Sequence, residues 1–429
     1  MDNNQIVILY ITLLSAEFLF SLLLQFLNLH KLKQAQISGP YAEEWVREHY
    51  DRELFSTALV YNRDRTVFSI LALTINIILI FWLVLWGIPG IFEDFFIHLF
   101  DSFYIVGIGT VFSTAFLITV PGIALRAYSV FVIEERHGFN RMNCRLFIQD
   151  IVKSGFLTLI LALPLSFAIL WLVRSLGPMW WLYSFMLTAL LQLLIAFVFP
   201  VLIAPLFYRF TPLEDGPLKE RLQVLTDRTG FIFKSIQVID GSRRSAHSNA
   251  FFSGFGSSRR IALFDTLMDS LSNEQIEAVV AHELGHAALR HTIRQVVSSL
   301  FILFGAFALL GQMLNWDGLF PVFGFQSASV YALLVIVLFF SSPVTFWLSP
   351  LASFFSRRRE YAADAFAQEY CGDYRPLADG LVKLHQNNKS NPVPHPLYSF
   401  FHFSHPTVPE RIAAMKKRSL ESGRDTTSP

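Results

Sequence analysis

Long apolar runs separated by short clusters of charge dominate this 429-residue chain. A helix needs about 20 apolar residues to cross the hydrocarbon of a bilayer. Seven stretches meet that length, roughly 6–28, 67–88, 103–125, 155–173, 180–207, 296–315 and 328–350. The first has only Asp2 as a charge ahead of it and no small-residue cleavage site before Lys31, so it reads as a retained span. Two pieces are too polar for lipid. Within 208–295, Ser235–Ile239, Ala250–Phe252 and Arg260–Phe264 read as strands, with Gly254 and Gly256-Ser257-Ser258 as turn residues. The tail, 351–429, reads as helix to about Asn387, then as Pro-rich loop, fraying after Gly423. No internal repeat appears. The expected organisation is five spans over 1–207, an α+β segment over 208–295, two spans over 296–350 and a polar tail over 351–429.

Composition agrees with a membrane protein. The chain is 53% hydrophobic and carries 44 phenylalanines, and only 16% of it is charged, against about 25% in ordinary globular domains. Its mean hydropathy is +0.46. Net charge is +1 with no basic, aromatic-interleaved patch, so no nucleic-acid partner is expected; the lipid bilayer is. Cys144 and Cys371 fit no disulfide or C-x-x-C framework.

The loops alternate in charge. The loop after the first span holds Lys31, Lys33, Arg47, Arg52, Arg63 and Arg65, and the third carries Arg136, Arg141, Arg145 and Lys153. The second and sixth loops lack Lys and Arg, and the fourth has only Arg174. The positive-inside rule then places the N-terminus outside, with 208–295 and the C-terminal tail in the cytoplasm.

Candidate chemistry centres on His282-Glu283-Leu284-Gly285-His286. H-E-x-x-H on a helix sets two imidazoles one turn apart on one face, with a carboxylate one step round. That arrangement binds zinc and places a general base beside the water the metal activates. Ser272 and Gln275 form a capping-box signature just upstream, followed by the helix-period run 276–281. The competing reading is a helix bearing two solvated histidines.

A catalytic zinc needs a third protein ligand and one open position. Glu360 and Asp364 follow the last span at i and i+4, hence on one helix face. Either Glu360 binds the metal while Asp364 accepts a hydrogen bond from a ligand histidine, or the pair makes solvated salt bridges with Arg357–Arg359. Emergence on the same membrane face as the H-E-x-x-H helix favours the first. His291 is expected to point off the ligand face, His402 and His405 to be loop residues, and Glu17, the one acid inside a span, has no assigned role.

Together these residues resemble the integral-membrane zinc proteases typified by the type I CAAX prenyl protease, the a-factor-converting family. The resemblance spans nearly the whole chain. It rests on 133–140 (Ile-Glu-Glu-Arg-His-Gly-Phe-Asn), 204–213 (Ala-Pro-Leu-Phe-Tyr-Arg-Phe-Thr-Pro-Leu), 247–254 (His-Ser-Asn-Ala-Phe-Phe-Ser-Gly), the zinc motif, Glu360 to Asp364, and His405-Pro406-Thr407 leading to Arg411. The implied fold is a mainly α polytopic membrane protein of seven transmembrane helices, with a small α+β, gluzincin-like metalloprotease domain on the cytoplasmic side. It also implies a large water-filled chamber within the membrane. One Zn2+ per chain would be held by His282, His286 and Glu360, with Asp364 orienting a ligand. Asn249, Ala250 and Phe251 would hold substrate backbone by strand addition, and His405 and Arg411 would stabilise the oxyanion or the substrate end. The C-terminal residues 425–429 are not a dilysine retrieval signal, so the tail does not support endoplasmic-reticulum residence; the expected location is a bacterial inner membrane or an endoplasmic-reticulum-type membrane.

The expected activity is hydrolysis of peptide bonds in a peptide or protein substrate, with Glu283 as general base. The resemblance implies trimming of the last three residues from prenylated C-a-a-X proteins. A quality-control protease without a prenyl requirement, a transporter, and a non-catalytic membrane scaffold are the alternatives. A transporter would usually carry ionisable groups or broken helices at mid-membrane, and these spans carry almost none.

Overall fold

The computed structural model describes residues 3–39, 43–231, 235–248, 250–253, 260–421 and 423. In chain order the helices are α1 (Asn3–Ser38), α2 (Glu44–His49), α3 (Arg52–Leu85), α4 (Ile88–Leu99), α5 (Phe103–Tyr128), α6 (Cys144–Leu176), α7 (Trp180–Val198) and α8 (Ala204–Phe207). They continue as α9 (Pro217–Thr229), α10 (Asp265–Ser270), α11 (Asn273–Ala288), α12 (His291–Met313), α13 (Val330–Cys371), α14 (Arg375–Asn387), α15 (Pro396–His402) and α16 (Val408–Glu421). Four short strands, β1 (Phe210–Pro212), β2 (Ser235–Ile239), β3 (Ala250–Ser253) and β4 (Arg260–Phe264), are described besides short 3-10 and π-helical segments.

Among the described residues six helical stretches are long and apolar enough to cross a membrane: 5–38, 52–85, 103–134, 144–207, 291–313 and 330–371. The fourth and fifth expected spans fall in one 64-residue run, 144–207. Gly177-Pro178-Met179 interrupts it, with Gly177 at φ 51°, and α6 and α7 pack against each other. Large apolar side chains face outward along these helices; Phe116, Phe156, Leu190 and Phe301 are all more than half exposed. Water would penalise such a surface, whereas lipid is its natural solvent. The chain is a multi-pass, mainly helical integral membrane protein.

Buried residues gather at the two ends of the spanning helices. One core joins Tyr10, Leu83, Val106, Leu170, Phe320, Phe323, Phe325 and the start of α13. The other joins α9, β4, α11, the end of α13, α14 and α16 through Leu222, Leu263, Val280, Leu284, Ala367 and Met415. Between them packing is sparse: α6 buries Leu146, Phe147 and Asp150, then nothing before Ile169.

The sheet sits at the second end, in the order β1-β2-β4-β3. β2 runs parallel to β4, while β1 and β3 pair antiparallel to their neighbours, with Ala250 opposite Leu263 and Phe251 opposite Ala262. β3 is therefore an edge strand among the described residues. All three expected strands are present, and β1 is an addition. The expected turn at Gly254 and 256–258 lies outside the described residues, as does the fraying after Gly423.

The tail departs from expectation. Beyond Asn387 it is not simply loop, because α15 and α16 form there. Pro396 starts α15, where its missing N–H costs nothing. Thr407 and Glu410 cap α16: the Thr407 backbone N–H and hydroxyl donate to Glu410 Oε2 at 2.7 and 2.8 Å. Near the other core, α4 occupies the expected second loop.

Candidate metal centre and active site

α11 begins as its sequence dictates. Ser272 Oγ accepts from Gln275 N at 3.3 Å, and Gln275 Oε1 accepts from Ser272 N at 3.1 Å, which closes the capping box. From there Ile276, Val279, Val280 and Leu284 bury the helix in the second core. Its largest interface is with α13, and Gly285 sets the closeness of that crossing. A Cβ at Gly285 would lie 3.0 Å from Ala363 Cα and 3.0 Å from Phe366 Cβ, so a methyl group would wedge the helices apart. Glu360 and Asp364 are thereby brought onto the histidines.

Three donors converge there. His282 Nε2 and His286 Nε2 are 3.2 Å apart. Glu360 Oε2 lies 3.3 Å from the first and Oε1 3.3 Å from the second. A tetrahedral ion with bonds of about 2.0–2.1 Å would hold its ligands about 3.3–3.4 Å apart. Glu360 Oε2 is buried without a hydrogen-bond donor and faces the same point as the two imidazole nitrogens. The residues fit a small divalent ion.

The surroundings orient these donors. Asp364 Oδ1 lies 2.8 Å from His282 Nδ1, which fixes that proton on Nδ1 and leaves the Nε2 lone pair facing the centre. Burial disfavours the charged ring of His282, yet Asp364 and Glu360 outweigh it and push its pKa up to about 9. The site is electrostatically built to hold a cation. Arg411, buried, donates through Nε to Asp364 Oδ2 at 2.9 Å and through Nη2 to Oδ1, while its Nη1 stands 3.7 Å from Glu360 Oε2. Its fork grips Asp364, and Nη2 also lies 3.2 Å from His282 Nδ1, so the guanidinium is spent within the site. The salt bridges expected as the alternative do not form: Arg357 Nη1 donates instead to the carbonyls of Phe400 and Phe403, at 3.3 and 2.9 Å.

Glu283 is half-buried and makes no hydrogen bond or ion pair among the described residues. His405, on the turn before α16, places Nε2 3.5 Å from Glu360 Oε1 with its side chain 62% exposed, and a cavity of about 570 Å3 opens beside it. Asn249 lies outside the described residues. Ala250 and Phe251 are in the edge strand β3, which packs beside α11. His291 is brought in where the sequence suggested otherwise. Arg290 turns left-handed at φ 56°, ends α11 and folds His291 back so that its Nδ1 meets His286 Nδ1 at 3.0 Å. The five-residue spacing off the ligand face gave no sign of this, because it assumed a helix running on past Arg290.

Comparison with known proteins places this geometry. Residues 29–209 match the family profile described as CAAX prenyl protease N-terminal, five membrane helices, and 212–419 match peptidase family M48. The chain is 42% identical to a CAAX prenyl protease 1 homolog of Arabidopsis thaliana over 291 residues, 67% of this chain and 68% of that one. It is 32% identical to the Homo sapiens homolog over 417 residues, 85% and 86% of the two chains. The crystal structure of S. mikatae Ste24p superposes with a TM-score of 0.86 at 31% identity, covering 96% of this chain and 99% of that one.

Fold and site together define an integral-membrane metalloendopeptidase acting on peptide or protein substrates. The chain belongs to the CAAX prenyl protease 1 family. Membership favours neither the transporter nor the non-catalytic scaffold, and it implies a bound metal.

Proposed function

We propose that this protein removes the C-terminal tripeptide of prenylated proteins, using one zinc ion held by His282, His286 and Glu360. The observation that carries this reading is the convergence of those three donors at 3.2–3.3 Å beside an unengaged Glu283. The relatives' names supply the substrate class: CAAX prenyl proteases act on prenylated C-terminal motifs. Bound there, zinc would supply Lewis acidity and a water acidified to a pKa of about 7.

The chain's own residues do the rest. Glu283 takes the proton of the attacking water and returns it to the leaving amine nitrogen. His405 donates from its exposed ring to the carbonyl oxygen as negative charge develops. Asp364 holds the tautomer of His282, and Arg411 holds Asp364, so Arg411 acts as a positioning residue. The free edge of β3, with Asn249, Ala250 and Phe251, receives the substrate backbone as an added strand.

The architecture of the reading is seven crossings. As a single straight helix, 64 residues would measure about 96 Å, three times the hydrocarbon thickness, whereas a reversal at 177–179 yields two. Segments 1–207 and 296–350 then form the membrane part, and 208–295 and 351–429 form a small α+β catalytic unit. The alternating loop charges support an outside N-terminus and a cytoplasmic catalytic end. Incubating purified protein with prenylated and unprenylated C-a-a-X peptides, with and without chelator, and reading the products by mass spectrometry tests the whole. Release of a tripeptide from the prenylated peptide, abolished by chelator, is expected. Equal cleavage of both peptides would favour the quality-control role, and no chelator-sensitive cleavage would sink the proposal.

A further inference from the structure

A second polar cavity, of about 720 Å3, lies where α3, α5 and α6 meet the segment leading into β3. Its charges are unevenly matched. Asp150 on α6 is gripped by Arg244, through Nε at 2.9 Å and Nη2 at 3.0 Å. Glu134 accepts from Tyr61 Oη at 2.8 Å and faces His247 Nε2 at 3.2 Å. Both acids are therefore satisfied. The cations are not. Arg65 on α3 and Arg126 on α5 line the cavity and are exposed; among the described residues neither has a carboxylate within ion-pair distance, although Arg65 is near enough to Glu134 to favour its charged form, and the two guanidiniums lie over the Tyr61 and Phe147 rings. Arg244 Nη1 is buried with no hydrogen-bond partner.

Guanidiniums that line a polar cavity without a direct ion-pair partner are solvated by water and disposed to exchange it for an anion. Which anion follows from the polarity of β3. The chain enters that strand through Arg244, Ser245, His247 and Ser248, all on the cavity wall. Ser248 is fixed from both sides by Asn388, whose Oδ1 accepts from its N–H at 3.0 Å and whose Nδ2 donates to its carbonyl at 3.3 Å. A peptide added antiparallel to β3 would run its C-terminal residues back along this entry segment, toward the arginines.

We propose that the cavity is a carboxylate site, in which Arg65, Arg126 and the free Nη1 of Arg244 receive the α-carboxylate of the substrate. This rests on the tripeptide-releasing activity proposed above. Three extended residues span about 10 Å, so a carboxylate held here fixes how many residues lie beyond the cut. The site makes the enzyme a counter of residues from the chain end.

The test compares a prenylated peptide ending in a free carboxylate with the same peptide ending in an amide. The wild-type protein is expected to favour the acid roughly tenfold or more in kcat/KM, chiefly through KM. In R65Q/R126Q that ratio should collapse toward one, and R65K/R126K should restore part of it. Equal cleavage of acid and amide by the wild-type protein overturns the site while leaving the protease reading intact, and this comparison needs no variant to fold. Chelator-insensitive or absent cleavage of both removes the protease reading and this inference with it. The assay is run in vesicles of phosphatidylcholine and of phosphatidylglycerol. An acid preference that is the same in both supports a peptide carboxylate. A rate that instead follows phosphatidylglycerol, without acid preference, and loses that dependence in R65Q/R126Q would assign the arginines to lipid phosphate and overturn the proposal.

Discussion

At the metal centre each acid meets basic groups: Asp364 is matched by Arg411 and His282, while Glu360 faces two histidines, His405 and Arg411, with only its Oε2 left without a hydrogen-bond donor. In the arginine-lined cavity the acids are matched and two cations are left over. The first region is pre-organised around what it holds and buries its groups between α11, α13 and α16. The second holds its unmatched charges at an exposed surface, where water carries the cost until something replaces it. A polar group's burial and its pairing thus separate machinery that is assembled in advance from machinery completed by a visitor.

The contrast can be broken at four points. The largest effect is expected from Glu283→Gln, which removes the proposed proton acceptor while leaving His282, His286 and Glu360 in place. Cleavage should fall by about 10^3-fold or more, with metal content unchanged by elemental analysis. A variant that retains activity would remove Glu283 from the chemistry.

Next is Asp150→Ala, which strands the Arg244 guanidinium, 11% exposed, without its counter-ion. Breaking a pair of this kind costs about 3–5 kcal/mol, read as a lowered Tm in detergent. The double variant Asp150→Leu/Arg244→Met should recover most of the loss, and failure to recover would mean that the packing, not the stranded charge, was responsible.

A smaller effect comes from His385, which lies beside the cavity next to His405 and bonds Tyr50 Oη through Nδ1 at 2.5 Å. Burial pushes its pKa down to about 4. The unfolded chain binds this proton near pH 6.5 and the folded chain does not, so stability is full above that pH. It falls between about 6.5 and 4, by on the order of 3 kcal/mol. Melting curves across that window should show the decline, and His385→Asn should flatten part of it.

The smallest effect is expected from Arg65→Gln. With no ion pair to break among the described residues, and with an exposed guanidinium resting over the Tyr61 ring, the loss should be about 1 kcal/mol or less. A large drop in Tm would mean that Arg65 is already structurally engaged.

How much of this was readable in the chain depended on how local each feature is. The capping box at Ser272, the H-E-x-x-H turn and the Glu360/Asp364 pair each lie within a few residues, and helical spacing alone aligns them. The strands were legible for the same reason. α16 was written just as locally, in Thr407, Pro409 and Glu410, but the surrounding prolines suggested loop. The His291 contact depends on one left-handed residue, Arg290, whose conformation its side chain does not announce. The arginine-lined cavity draws on residues from 61 to 388, and no pattern along the sequence links them.

Gly285 carries a lesson for how such motifs are written. The signature H-E-x-x-H treats its third and fourth letters as wildcards, yet in this molecule a side chain at the fourth would press on Ala363 and Phe366 of another helix, which would have to give way by a few tenths of an ångström or more. A search that accepts any residue there would count as equivalent a sequence that spells the two histidines correctly but holds the neighbouring helix, with Glu360, further away.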